Sequence, residues 1–233
     1  MRSRIMFVAA VAFALSLASG ARAQEGAPPP TSPTVTPWDA AIGYRGGFVE
    51  STGYAPFSAR DYLSQLTLEG SRVVLSRGRL ALAVGAAWDY GSTFTTTRGS
   101  DAGLSVHRLT APIAVRYRIG TWLNVFARVA PGAAYESAHL DDPSAPAPLK
   151  KQAWVPCGDA MAGVAWAFAD SKLGQHSFVW WLRGEGGYGW TGSMALDMAP
   201  DLASGDKRAL GTTDLGSLAL GGGFGRVTLA IGF

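Results

Sequence analysis

Two stretches carry side chains suited to acid–base and nucleophilic chemistry. "AHLDDPS" sets His139, Asp141, Asp142 and Ser144 in one short run, and "HSFVWWLRGE" sets His176, Ser177 and Glu185 in another. A histidine base, a carboxylate to orient it and a hydroxyl nucleophile are the parts of a hydrolytic triad, which also needs rigid mutual geometry. The first run lies in a Pro-rich segment with no regular element to hold it. The second falls at the short-turn end of its strand, and its Glu185 points to the other, inward face. The chain has three histidines, so chance proximity is easy, and the sequence reads as a non-enzyme with no catalytic residues. Asp141, Asp142, Asp197, Asp201 and Asp206 lack the ligand spacing of a calcium loop. Lone Cys157 reads as a small structural residue. No P-loop, dinucleotide fingerprint or HExxH occurs, so no cofactor and no metal are expected. The remaining chemistry is a set of charges recurring on one face of the chain: Arg45, Glu69, Arg116, Arg128, Arg183, Glu185 and Arg226.

The elements that would position those charges begin after an export signal. "MRSR" is basic, residues 5–19 are apolar, and "ARA" at 21–23 supplies the small-residue cleavage pattern of a secretory signal peptide. Residues 1–23 are therefore expected to be removed, with cleavage near Ala23. Arg2, Arg4 and Arg22 leave with that segment, and the formal net charge falls from +3 to zero. The basic pI is thus partly a targeting effect and gives no support for nucleic-acid binding. Residues 24–37 are rich in Pro and Thr and read as an extended linker. No later run is apolar for the length a membrane helix needs.

From Trp38 onward the period is two. In "RLALAVGAAWDY", Leu80, Leu82, Val84, Ala86, Trp88 and Tyr90 alternate with Arg79, Ala81, Ala83, Gly85, Ala87 and Asp89. A strand sends successive side chains to opposite faces, so one face is apolar and the other small or charged. The pattern recurs around Trp38–Phe48, Tyr62–Glu69, Leu109–Arg118, Leu123–Ala130, Gly163–Phe168, Phe178–Trp190 and Arg226–Phe233. Eight strands are expected, with Phe126 and Trp181 as space-fillers on the polar face. The connections alternate between long polar stretches (51–58, 91–103, 137–152, 191–213) and short turns (76–78, 120–121, 170–175).

Aromatics on the apolar face gather at the strand ends. Phe48, Tyr62, Trp88, Tyr90, Tyr135, Trp154, Tyr188 and Trp190 fall at the long-loop end; Trp38, Tyr117, Trp166, Phe168, Phe178, Trp180 and Phe233 fall at the short-turn end. Two aromatic girdles around an apolar band are what a lipid-facing barrel needs. The expected fold class is all-β: a closed antiparallel eight-stranded up-and-down transmembrane β-barrel over 38–233. Eight strands leave an interior only wide enough for side chains, so the charged face is expected to pair across the lumen and plug it.

The final alternation, Val227, Leu229, Ile231 and Phe233, resembles the terminal-strand signature of bacterial outer-membrane β-barrels. The chain as a whole resembles the small OmpA/OmpX/OmpW-like barrels, departing from OmpA in having no peptidoglycan-binding domain after the barrel. The resemblance implies a Gram-negative outer-membrane location and recognition of those four residues by the barrel-assembly machinery. It also implies contact with outer-membrane lipid and lipopolysaccharide, and four external loops that can meet a ligand. The function read from this is a structural or surface-interaction barrel. The alternatives are a narrow channel for small or hydrophobic solutes and a lipid A-modifying enzyme, an activity some small barrels of this kind have.

Overall fold

The computed structural model describes residues 36–97, 100–141, 147–173, 176–200 and 213–233. The expected signal peptide and nearly all of the linker lie outside them. The elements are β1 (Trp38–Phe48), a 3-10 turn (Thr52–Tyr54), β2 (Tyr62–Arg77), β3 (Leu80–Thr97), β4 (Ser100–Thr110), β5 (Ile113–Arg118) and β6 (Leu123–Asp141), followed by β7 (Leu149–Leu173), β8 (His176–Thr191), β9 (Met194–Pro200), β10 (Thr213–Leu218) and β11 (Gly222–Gly232).

Every pairing is antiparallel. β1 pairs with β2, β2 with β3, β3 with both β4 and β5, and these two with β6. β6 pairs with β7, β7 with β8, β8 with β11, and β11 with β1. The pairings form a ring of eight positions, one of them shared by β4 and β5. The split falls at Ala111–Pro112, where proline has no N–H to give the ladder; its carbonyl still accepts from Gly85 N–H at 2.9 Å. At the seam, Trp38 and Phe233 exchange backbone hydrogen bonds at 3.1 and 2.9 Å, and the register continues from Asp39↔Gly232 to Gly47↔Phe224.

Burial follows the two-residue period. In β1, Trp38, Ile42, Tyr44 and Phe48 are exposed while Asp39 and Arg45 are buried. In β11, Val227, Leu229 and Phe233 are exposed while Arg226, Thr228 and Ala230 are buried. The ring thus turns large apolar side chains outward and encloses its polar ones.

The outer ends of the strands differ from the sequence expectation. Residues 91–97 and 100–103 are the ends of β3 and β4, and β6 and β7 also extend outward, as far as Asp141 and from Leu149. The segment 191–213 contributes β9, which pairs with β10 and with the start of β7. Met194, Leu196 and Met198 alternate with polar or small residues in "SMALDMAP", and all three are fully buried. With Tyr54, Phe57, Leu104, Val106 and Leu218 they form an apolar core at the outer end. Thr93 Oγ1 donates to the Phe57 carbonyl at 3.1 Å and Tyr54 Oη to the Tyr62 carbonyl at 3.0 Å, tying the β1–β2 connection to this core.

Two glycines on opposite faces test the ring. A Cβ at Gly43 would collide with the Val227 carbonyl and Thr228 on the neighbouring β11, whereas a Cβ at Gly70 meets nothing. Gly43→Val is expected to lose about 1–3 kcal/mol and Gly70→Ala to stay within about 0.5 kcal/mol, read from urea unfolding midpoints of detergent-refolded protein.

Candidate functional site: the charged interior of the ring

Six arginines and six carboxylates are gathered inside the ring: Arg45, Arg108, Arg116, Arg128, Arg183 and Arg226 with Asp39, Glu69, Asp89, Glu136, Asp159 and Glu185. Eleven are buried and Arg116 is partly exposed. Apart from Arg226–Glu185, which are direct partners on β11 and β8, their ion pairs join strands that are not ladder neighbours and so span the interior. They reach so far because much of the inward face is glycine or alanine. At Gly189 an added Cβ would stand 2.5 Å from both Arg45 Nη2 and Asp159 Oδ1, so only a glycine leaves room for that pair.

An outer group centres on Asp159 of β7. Arg45 of β1 grips it with both guanidinium nitrogens, at 2.7 and 3.0 Å, and Arg108 of β4 donates to it at 2.8 Å. Arg45 also lies 3.5 Å from Asp89, which accepts from Thr67 Oγ1 at 2.6 Å, and its guanidinium sits 3.8 Å over the Phe224 ring. An inner group centres on Glu69 of β2. Arg128 pairs with it at 2.6 Å and with Glu185 at 3.2 Å; Arg226 pairs with Glu185 at 2.7 Å. Arg183 bridges Glu69 at 3.5 Å and Asp39 at 3.1 Å, and Arg116 donates to Asp39 and, at 3.0 Å, to Ser71.

Buried charges persist when paired and hydrogen-bonded, and arginine suits this because its planar fork spreads charge over several donors. The fit is incomplete at a few atoms. Gln65 Nε2, Arg108 Nε, Arg226 Nε and one oxygen of Glu185 have no hydrogen-bond partner among the described residues, and neither does either oxygen of Glu136. Glu136 is fully buried, opposite Val106 and between Ala134 and Ala138 of the apolar outer core.

All seven charges singled out in the sequence sit in this interior. Sequence reasoning missed Arg108 and Asp159 as members, although both lie on the inward parity once β4 and β7 are extended outward. Asp39 and Asp89 were visible on the polar face but not recognised as partners. Phe126 and Trp181 pack inside the ring, Trp181 against Ala165, Val179 and Ala230. The four C-terminal positions lie along β11, with Val227, Leu229 and Phe233 exposed.

The second catalytic arrangement is not assembled, and the first lies partly outside the described residues. His139 is exposed and lies over Gly103. Asp142 and Ser144 lie outside the described residues. Ser177 and Glu185 stand eight residues apart on one strand, about 26 Å at ~3.3 Å per residue, and Glu185 is engaged by Arg128 and Arg226. Among the described residues no three His, Cys, Asp or Glu side chains cluster as metal ligands. Asp201 and Asp206 lie outside those residues. Asp197 takes a 2.6 Å contact from Lys151, whose hydrogen bond holds its carboxyl below the usual carboxylate range.

No family model matches the chain, and no curated protein does. Among solved structures it is similar to Ail. That is the attachment invasion locus protein of Yersinia pestis, at 13% identity and a TM-score of 0.43, covering 85% of this chain and 98% of that one. The crystal structure of Ail in complex with the heparin analogue sucrose octasulfate aligns at 13% identity and a TM-score of 0.42, over 84% and 95% of the two chains.

The pairing pattern gives opposite expectations for two buried carboxylates. Asp159→Ala strands Arg45 and Arg108 and is expected to cost about 3–5 kcal/mol. Glu136→Met removes a carboxylate without partners and is expected to be neutral or stabilising by about 1–3 kcal/mol. Urea midpoints of the two refolded variants against the parent would check both signs.

Proposed function

We propose that the chain is an integral outer-membrane β-barrel of a Gram-negative bacterium, whose interior is plugged and whose outer extension serves surface interaction. The carrying observation is the outward face of the ring. Ile42, Leu66, Leu68, Val84, Leu109, Val115, Val129, Leu182, Val227 and Leu229 are all exposed. So large an apolar surface does not persist in water, and a hydrocarbon layer is its natural solvent. Aromatics border the band. At one end Tyr90, His107, Tyr135 and Trp154 are successive cross-strand partners, with rings 4.8, 6.3 and 5.3 Å apart. At the other, Phe178 and Phe233 approach at 6.4 Å, as do Trp166 and Phe168. A ring without open edges is what lipid demands of strands.

In this reading residues 1–23 are the export signal and 24–37 the periplasmic linker, and the terminal strand is the segment that the assembly machinery reads. The charge network supports a plug rather than a pore, because each guanidinium already spans the interior to a carboxylate. The outer extension, with its own packed core, is the rigid support for an interaction with an external ligand, lipopolysaccharide included.

The test is electrophoretic mobility of the outer-membrane fraction, boiled against unboiled in SDS. A heat-dependent shift is expected; a periplasmic protein with no shift would overturn the membrane reading. Val84→Arg, on the exposed face of β3 and mid-band, is expected to cost about 2–4 kcal/mol of membrane stability and to reduce the heat-shifted band. In planar bilayers the purified protein is expected to pass no steady current; discrete steady conductance would favour the channel instead.

A further inference from the structure

A cavity of about 80 Å³ opens at the short-turn end of the ring, between the β2–β3 turn and the start of β6. It is far larger than the space one water needs. Trp181 and Phe126 form part of its wall, and five arginines line it against two acids, Asp39 and Glu69. Those two acids are already shared by Arg116, Arg128 and Arg183. Arg79 and Arg118 make no ion pair among the described residues. They stand side by side, since Arg118 N–H donates to the Arg79 carbonyl at 2.9 Å; Arg118 lies on the inward parity of β5, and Arg79 is exposed in the turn before β3. The arginines exceed the acids by three, and a concavity with such an excess of one sign concentrates its field. A guanidinium fork fits the paired oxygens of a phosphate or carboxylate.

We propose that this cavity is a binding site for a small organic anion, its oxyanion head held by Arg79 and Arg118 and its short apolar body against Trp181 and Phe126. The cavity belongs to the ring itself; that it faces the periplasm rests on the membrane reading above.

The test titrates detergent-refolded protein with phenyl phosphate, benzoate and benzyl alcohol by isothermal calorimetry. Saturable binding of phenyl phosphate and weaker binding of benzoate are expected, with none for the uncharged alcohol. The double variant Arg79→Ala/Arg118→Ala should raise the Kd about tenfold or more while keeping the heat-shifted band. If the double variant loses that band, Arg79→Gln at the exposed rim carries the test, with a rise of about threefold expected. No saturation below about 10 mM, equal binding of the alcohol, or unchanged affinity in a folded variant would overturn the site. A protein that shows the heat shift without binding loses the site and keeps the membrane reading. One that binds phenyl phosphate but is soluble in the periplasm keeps the site and loses that reading.

Discussion

The antiparallel hydrogen bonding between β1 and β11 is the interaction on which the rest of the structure depends. An open sheet of these strands would have two raw edges and two accessible faces. Pairing the first ring strand with the last removes both edges and divides the molecule into an inside and an outside. Only then does the two-residue period acquire meaning, because every inward side chain on every strand shares one small space. Arg45 and Arg226 are direct partners across this seam. They tolerate each other because one reaches outward along the axis to Asp159 and the other sideways to Glu185, its direct partner on β8.

That shared space is stratified. An apolar layer of Met194, Leu196, Met198 and their neighbours caps the outer end. Beneath it lies the Asp159 group, then the Glu69 group, then the arginine-lined cavity. The gradient from dry to charged follows from where each strand stops. The outer extensions meet the 3-10 turn and the β9–β10 hairpin and can bury apolar area, whereas the inner ends carry short turns with no such packed layer among the described residues. Glu136 sits within the apolar layer, opposite Val106, and its unpartnered oxygens mark a mismatch there.

The ring was legible in the sequence because alternation is a local signal, repeated on each strand and independent of what the strand touches. Arg45, Glu69 and Glu185 could be assigned to the interior from parity alone. Their partners could not, because which guanidinium reaches which carboxylate depends on the stagger between strands. Asp159 was lost for a simpler reason: polar "LKKQ" made the beginning of β7 look like loop, although Ala153, Val155 and Cys157 continue the inward parity. The split of one ring strand at Pro112 and the inward folding of 194–200 were hidden likewise, the one by a residue that also suits turns, the other by its place in a long polar stretch.

Prolines occupy three neighbouring ring strands near one level: Pro112 between β4 and β5, Pro131 in β6 and Pro156 in β7. Their carbonyls accept hydrogen bonds from Gly85, Ala111 and Gly192 at 2.9, 2.8 and 2.7 Å, but none of their nitrogens can donate. The sheet therefore carries a crease, a line of missing donors between the lower ring and the outer extension on that side. With fewer ladder hydrogen bonds, those strands are held together less tightly along that line. A pull on the outer extension would bend the sheet along that line before it disturbed the charged interior below.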